Sequence, residues 1–401
     1  MKPMDRALIL TPAGQSGELS HSPAEDYLFR YGIGAAPDRQ ISLTMPIRDS
    51  GYTSHALHPI FQMNLPEGYV LEQLRNRLAK STPINPMLLM ALAGSGSPIG
   101  RVRVEAPLLD EWLQRAPQPS GERLDELLAW DGAQDLFASL LDKYILRSGI
   151  SGVQPKLIVP EQVSPDSKVT VLTPELIVKT GRDDFPGLAI NEFVCMDAAR
   201  RAGIAVPEFF LSDNHRLFVM RRFDRAADQR PLGFEDMAVL TGLGTEDKYN
   251  SSYEKIARVL RLFCAPGLLK GSLEQLFDMV ALSCMVGNGD GHLKNFGLLY
   301  EDSLGADARL APAYDIVNTT AYLPEDSLAL SLAGSKSLFR SRLGILDFAE
   351  SCEIHDAKAR LRRLIEAVEE SLAVNRHLAP SAPRVFEAIA SAQGHFAQTF
   401  R

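Results

Sequence analysis

The spacing of apolar residues changes near residue 252, and this change limits the folds that the chain can adopt. Before it, short aliphatic runs such as 157–159 and 176–179 predict strands. After it, 253–263 and 357–372 carry apolar residues at intervals of three and four, which predicts helices. We therefore predict an α+β fold in which a sheet-rich lobe precedes a helical lobe. Small-molecule sites commonly lie in a cleft between such lobes.

The same pattern divides the chain into four segments. We predict a small N-terminal α/β subdomain at 1–110, a connecting segment at 111–143, a sheet-rich lobe at 144–251 and a helical lobe at 252–401. Within the first segment, residues 39–45 alternate like a strand. A helix is expected to follow the Leu-Pro-Glu-Gly sequence further along the same segment.

Composition limits the partners and the compartment. The net charge of −8 argues against a chain that binds nucleic acid by itself, because such binding needs surplus lysine and arginine. The four cysteines form no C-x-x-C pair and sit among apolar neighbours, so we expect buried free thiols and a reducing cytoplasm. We see no stretch long and apolar enough for a membrane span. The cysteines are Cys195, Cys264, Cys284 and Cys352.

The strongest chemical signal is the polar loop from Asp290 to Asn295. Phosphoryl transfer needs a carboxylate beside the attacking hydroxyl and metal ions at the phosphates, and protein kinases supply them with this Asp-x-x-x-x-Asn spacing. We interpret Asp290 as the catalytic base, Asn295 as a Mg²⁺ ligand and Lys294 as a contact to the transferring phosphate. We expect His292 to orient the loop beside the nucleotide. The alternative is a plain polar turn, because Asn-Gly and Asp-Gly are strong turn formers.

Two further candidates lie on either side of this loop. Asp315 follows Asn295 by 20 residues, where a kinase places its second metal ligand. The alternative for Asp315 is a helix N-cap. Lys179 ends an apolar strand, and Glu192 lies in the helix that follows. A strand lysine paired with a helix glutamate binds the nucleotide phosphates in kinases, although an edge-strand lysine facing water is the simpler alternative.

A glycine-containing segment, SGISGVQPK at 148–156, is the last candidate. Its glycines let backbone N–H groups approach a phosphate, so we predict nucleotide contacts at Gly152, Val153 and Gln154. The segment differs from G-x-G-x-x-G and is a poor nucleotide signature by itself.

Together these pieces resemble the HipA family of toxin kinases. The resemblance implies a two-lobed, protein-kinase-like fold, with ATP bound by the 144–251 lobe and catalysis in the 252–401 lobe. It implies an ATP- and Mg²⁺-dependent protein serine/threonine kinase. In order along the chain, the matching segments are HPIFQMNLPEGYVLEQL, SGISGVQPKL, LIVK, NEFVCMDAARRAG, MRRFDR, EDMAVLTG, NGDGHLKNFGLLY and LAPAYDI.

The resemblance also implies a biological role. Family members usually form the toxin of a bacterial type II toxin–antitoxin pair with a small DNA-binding antitoxin, so we expect a HipB-like partner and only indirect contact with DNA. Characterised members inactivate aminoacyl-tRNA synthetases by phosphorylation and arrest growth. An aminoacyl-tRNA synthetase is therefore the substrate that the resemblance suggests.

The resemblance assigns roles to matching positions. Asp290 matches the catalytic aspartate, Asn295 and Asp315 match the metal-binding pair, and Lys179 matches the ATP-binding lysine. The segment Arg221–Phe223 matches the connection between the lobes, where adenine is held largely by backbone groups.

One position departs from the family pattern. The best-studied pattern has its phosphorylated loop serine where this chain has Gly149. Serines flank that position, so we name Ser151 and Ser148 as candidates for autophosphorylation. We favour Ser151, because Gly152 beside it gives the backbone freedom to turn the hydroxyl inward.

Two other functions remain open at this point. A metal-dependent nuclease or hydrolase could hold its metal with Asp290, His292 and Asp315, but it leaves Lys179 without a role. A catalytically idle module that binds only the antitoxin and DNA would not need the intact aspartate, asparagine and lysine set.

Overall fold

The computed structural model describes most of the chain. Residues 169–172, whose apolar run predicts a strand in a hairpin with 157–159, lie outside the described residues, and so do the site candidates Ser148 and Val153. The described residues are 4–22, 26–78, 84–106, 109, 121–132, 135–147, 149–152, 154–162, 174–181 and 184–401.

The N-terminal part is built on an antiparallel sheet of five strands in the order β4-β3-β2-β1-β5. Alternate residues of β1, such as Ile9, face the core, as expected for a half-buried sheet. The strands are β1 (Arg6–Thr11), β2 (Gly14–His21), β3 (Tyr27–Tyr31), β4 (Tyr52–Ser54) and β5 (Arg103–Glu105). The helices of this part are α1 (Pro59–Gln62), α2 (Gly68–Leu78) and α3 (Pro86–Ser95), of which α2 is the predicted helix.

Residues 39–45 were predicted as a strand, and that prediction is wrong. The segment forms no strand, because its backbone N–H groups bond side chains or carbonyls of the same loop instead of a neighbouring strand. Ile41 N donates to the Tyr31 hydroxyl at 3.1 Å, and Leu43 N donates to Glu235 Oε1 at 2.8 Å. Glu235 lies in the C-terminal half, so this segment fastens the N-terminal sheet to the rest of the protein.

The next part contains the predicted sheet-rich lobe. Its four antiparallel strands have the order β6-β7-β9-β8, and a helix of 14 residues packs on one face. The elements are α4 (Leu124–Leu128), α5 (Leu136–Tyr144), β6 (Lys156–Pro160), β7 (Glu175–Thr180), α6 (Leu188–Arg201), β8 (Phe209–Leu211) and β9 (Leu217–Arg221). β6, β7 and α6 confirm the strands predicted at 157–159 and 176–179 and the helix that follows them.

The last part is mostly helical, as predicted. A small antiparallel sheet, β10-β11-β12, lies at its boundary with the second sheet. None of the described helices is long and apolar enough to cross a membrane. The elements are β10 (Gly233–Asp236), α7 (Met237–Leu240), α8 (Tyr253–Phe263), α9 (Pro266–Val286), β11 (Gly297–Tyr300), β12 (Arg309–Leu310), α10 (Leu338–Ser351), α11 (Ala357–Val374) and α12 (Pro383–Phe400).

The second sheet is buried on both faces, which explains its continuous apolar runs. In β7, Leu176 and Val178 face the core that includes the N-terminal part, whereas Ile177 faces the core that α6 shares with the helical part. Because side chains alternate along a strand, Lys179 points to the same face as Ile177. The sheet thus directs a lysine toward α6 and the helical part. The predicted segment boundaries themselves stay predictions.

Candidate active site

A cavity of about 430 Å³ lies where the N-terminal part, the second sheet and the helical part meet. The predicted candidates Gly152, Gln154, Lys179, Phe223, Asp290, His292, Lys294, Asn295, Asp315 and Ser151 all line it. The structure therefore brings together residues that lie up to 164 positions apart in sequence, from 151 to 315.

Arg221 is a candidate that does not line this cavity. Its guanidinium pairs with Glu161 and, at 2.6 Å, with Glu208. The backbone N–H groups of Arg221 and Arg222 are also occupied, by the carbonyls of Glu208 and Glu175. A nucleotide contact at Arg221 stays a prediction.

The polar loop at 287–295 is held from several sides. Gly287 ends α9 with a φ of 75°, a conformation that glycine adopts without steric cost. The hydroxyl of the buried Tyr253, on α8, donates to the Gly291 carbonyl at 3.0 Å. Leu293 N donates to the Lys248 carbonyl at 3.1 Å. The loop is thus anchored to the helical part rather than being a free turn.

Asp290 is exposed at the surface of the cavity. Partial desolvation, together with the charge of Asp315, raises the pKa of Asp290 to about 6, and a hydrogen bond from the Tyr249 hydroxyl opposes this rise. A carboxylate with this pKa is mostly ionised at neutral pH and can still accept a proton, which suits a general base.

Lys179 pairs with two carboxylates, one of which is the helix glutamate predicted for it. Its Nζ lies 2.5 Å from Glu192 Oε1, which is the predicted pair, and 2.7 Å from Asp315 Oδ1. Burial alone would lower the pKa of Lys179, but Asp315 and Glu192 raise it above its ordinary value. Lys156, from β6, approaches the other oxygen of Asp315 at 3.5 Å. The ammonium groups in turn lower the pKa of Asp315 against the effect of its burial.

The predicted metal ligands are neighbours. Asn295 Nδ2 donates to Asp315 Oδ2 at 3.1 Å, while Asn295 Oδ1 accepts from His292 N at 3.0 Å. The Asp315 carboxylate is a hard donor of the kind that Mg²⁺ binds, so it fits this ion. The Asn295 amide presents Nδ2 to Asp315 here, so its oxygen would reach a shared ion only with the amide turned over. Asp315 has a φ of 61°, a left-handed conformation that aspartate tolerates better than most residues.

Two glycines of the segment at 149–152 lie where the surroundings leave no room for a side chain. A Cβ on Gly152, which has a φ of 135°, would collide with the Lys156 side chain. A Cβ on Gly149 would collide with the Ala93 carbonyl oxygen, so a serine does not fit at that position in this conformation. The departure from the family pattern is therefore built into the packing of this loop.

His292 is buried beside these groups. Burial, and secondarily Lys248, lowers its pKa to about 3, so the ring is neutral at physiological pH. Its Nδ1 has no hydrogen-bond partner within the part of the chain that the structure describes. At the other end of the cavity, Phe223 stacks on Tyr314 with ring centroids 5.1 Å apart.

Sequence reasoning missed Glu67, Lys248, Lys156 and Tyr249, all of which line the cavity. Lys156 could have been found, because it is the last residue of the glycine-containing segment that we selected. Glu67 could not, because its Leu-Pro-Glu-Gly context indicates only the start of a helix. Its partner Lys248 lies 181 residues away.

Comparisons with known proteins agree with this geometry. Residues 7–105 match the family model of the HipA N-terminal domain. Residues 148–375, more than half of the chain, match the model of the HipA-like C-terminal domain. The chain belongs to the HipA family.

Relatives of this HipA-family chain carry the name of a kinase. Y4dM of Sinorhizobium fredii, a kinase by name alone, is 28% identical over 300 residues, which are 70% of this chain and 67% of Y4dM. Y4mE of the same organism, also a kinase by name alone, is 27% identical over 385 residues, 89% of this chain and 88% of Y4mE.

The fold is that of HipA. The chain is similar to HipA in a solved complex of Shewanella oneidensis HipA, HipB and operator DNA, with a TM-score of 0.67 and 19% identity over 98% of this chain and 97% of that chain. The predicted α+β, two-lobed, kinase-like fold is confirmed.

Proposed function

We propose that this HipA-family chain is a protein serine/threonine kinase that uses ATP and Mg²⁺. The observation that carries the proposal is the joint position of Lys179, Asp290 and Asp315 around one cavity. The lysine already pairs with the helix glutamate Glu192, as the kinase arrangement requires. The kinase names of the relatives support the same general activity.

The residues divide the reaction between them. Asp290 orients the substrate hydroxyl and accepts its proton as the hydroxyl oxygen forms a bond to the γ-phosphorus and the bond to the β–γ bridging oxygen breaks, which leaves ADP. Asn295 and Asp315 would hold Mg²⁺, which supplies positive charge at the phosphates. Lys179 binds phosphate oxygens on the sheet side, and Lys294 binds the transferring group.

Other cavity residues fit the rest of a nucleotide. Gly152 and Gln154 border the cavity from the loop before β6, where backbone N–H groups can contact phosphates. The aromatic pair of Phe223 and Tyr314 offers an apolar surface to adenine. His292, being neutral, can hydrogen-bond without adding charge.

We further propose that the protein is a toxin controlled by a HipB-like antitoxin. Membership of the HipA family supports this role, and the Shewanella oneidensis relative is in complex with HipB and operator DNA. A net charge of −8 fits contact with DNA through the antitoxin rather than directly. The family resemblance suggests an aminoacyl-tRNA synthetase as substrate.

The nuclease alternative has less support. It requires Asp290, His292 and Asp315 to surround a metal. All three residues are described, yet no group of three histidine, cysteine or acidic side chains in the described ranges could hold a metal ion. The nuclease alternative also leaves Lys179 and Asn295 without a role, whereas the kinase proposal gives both residues one.

The experiment that tests the proposal compares cells after brief induction of the wild type or Asp290→Asn. We expect growth arrest and new phosphoserine or phosphothreonine sites on a component of translation only with the wild type. Equal phosphoproteomes in the two cultures would contradict kinase activity. New sites on proteins unrelated to translation would keep the kinase and reject the proposed substrate.

A further inference from the structure

The cavity contains four lysines whose side chains are less than 10% exposed. A buried ammonium group needs a negative partner. Three carboxylates pair with these lysines, because Glu192 also pairs with Lys179. Asp315 pairs with two of the lysines and Glu67 with the other two. The exposed fractions of the lysine side chains are 8% for Lys156, 2% for Lys179, 7% for Lys248 and 9% for Lys294.

Glu67 reaches this site from the N-terminal part. It lies just before α2, and its side chain is 16% exposed. Lys248 Nζ lies 2.7 Å from its Oε2 and Lys294 Nζ 3.5 Å from its Oε1, while the Ser151 hydroxyl donates to Oε1 as well. These partners lower the pKa of Glu67 to about 2 against the effect of burial, so the group is a carboxylate at physiological pH.

The two lysines line the same cavity as Asp290, the proposed catalytic base. Lys294 belongs to the same loop as Asp290, and the charge of Lys248 acts on Asp290 by lowering its pKa. A phosphoryl group that reacts with a hydroxyl held by Asp290 must lie in this same region. Ammonium groups bind phosphate oxygens through short, charge-assisted hydrogen bonds, just as they bind a carboxylate.

We propose that Lys248 and Lys294 form a binding site for the terminal phosphate of a nucleoside triphosphate, and that Glu67 is an internal ligand that this phosphate displaces. The identity of the ligand as a nucleotide rests on the proposed function. The site itself takes a polyphosphate anion. Occupation of the site frees Glu67, and nucleotide binding thereby loosens the turn that leads into α2.

Competition by Glu67 lowers the affinity of the site for phosphate, and a variant can remove this effect. Glu67 competes with the phosphate for both ammonium groups, and its own charge repels the incoming anion. Glu67→Gln keeps the shape and the hydrogen bond from Ser151 but loses the charge. Two buried lysines are then left without their carboxylate, which destabilises the unliganded protein and favours any anion that replaces it.

The test is calorimetric titration of the full chain with sodium tripolyphosphate in the absence of Mg²⁺. We expect Glu67→Gln to bind it roughly tenfold or more tightly than the wild type, because a hydrogen bond to a charged group contributes more than a factor of ten. The same variant has a lower Tm without ligand. Glu72→Gln is the matched control, because Glu72 is exposed on α2 and undergoes the same change of charge. Equal or weaker binding by Glu67→Gln would overturn the proposal.

Two further measurements make the test specific. Adding Lys248→Met to Glu67→Gln should remove the gain in affinity, and a gain that persists rules out Lys248 as a ligand. In the wild type, tripolyphosphate should speed amide hydrogen exchange over 64–71. Unchanged exchange at saturation would contradict displacement, even if Glu67→Gln did not fold. Neither readout needs phosphoryl transfer, so an inactive protein that passes both tests contradicts only the proposed function.

Discussion

The hydroxyl of Tyr249 donates a 2.9 Å hydrogen bond to Oδ1 of Asp290. The bond lowers the pKa of a carboxylate that desolvation and Asp315 raise to about 6. The phenol therefore occupies one of the two carboxylate oxygens and lowers the pKa of the proposed base.

The acid limb of the pH profile follows from this bond. Only ionised Asp290 accepts a proton, so kcat/KM should fall as the pH drops through about 6. Tyr249→Phe removes the hydrogen bond that lowers the pKa, so its acid limb should move to higher pH. Tyr52→Phe is the control, since the Tyr52 hydroxyl bonds the Pro46 carbonyl in the N-terminal part. If the acid limb does not move in Tyr249→Phe, Tyr249 does not set the pKa of the catalytic group.

Asp315→Asn tests the metal site. Asparagine tolerates the left-handed conformation at this position, so the backbone should be retained while the metal loses a carboxylate. We expect the thermal stabilisation by ATP to lose its dependence on Mg²⁺. Asp228→Asn changes the same charge at a side chain that is 68% exposed and should behave like the wild type. An unchanged Mg²⁺ effect in Asp315→Asn would exclude it as a ligand.

Lys179→Met tests the buried ion pair. The side chain of Glu192 is 0% exposed, so Lys179→Met leaves a buried carboxylate without the ammonium group that pairs with it. We expect the free energy of unfolding in denaturant to fall by about 3–5 kcal/mol. Adding Glu192→Gln should recover part of the loss. Lys270→Met removes a lysine that is 91% exposed and should cost less than about 1 kcal/mol. Equal effects of the two lysine variants would contradict this account.

Ser151 is the testable candidate for autophosphorylation. Its hydroxyl faces the cavity and bonds Glu67, so a phosphate there would add about −1.5 to −2 of charge beside the nucleotide phosphates. After incubation with Mg²⁺-ATP, mass spectrometry should find phosphate on Ser151, and the modified protein should bind ATP more weakly. Ser151→Ala should stay in the ATP-binding form. An unmodified loop in a preparation that phosphorylates other proteins would reject the idea.

Much of the fold could be predicted because its patterns are local. Burial produces the apolar runs of β7 and β9 and the three- and four-residue spacing of α8 and α11. These patterns are visible in the sequence without knowledge of the fold. The segment at 39–45 alternates as a strand does, yet the N–H groups of Ile41 and Leu43 bond side chains from elsewhere in the fold. A single sequence cannot show that competition.

The candidate site divides in the same way. The sequence predicts Asp290, Asn295 and Asp315 because their spacing along the chain matches that of the catalytic and metal-binding residues of kinases. Glu67 and Lys248 have no spacing to mark them, since their contact depends on how the N-terminal part docks on the helical part. Their roles follow only from distances across the fold.

The central claim is that Asp290 directs phosphoryl transfer from ATP to a protein hydroxyl. The most direct measurement incubates the purified protein with Mg²⁺, γ-labelled ATP and a bacterial extract depleted of ATP, for both the wild type and Asp290→Asn. We predict label on serine or threonine with the wild type and a rate lower by about 10²–10⁴-fold in the variant, whose fold is checked by circular dichroism. Equal label from both proteins, or none from either while ATP is bound, would contradict the account.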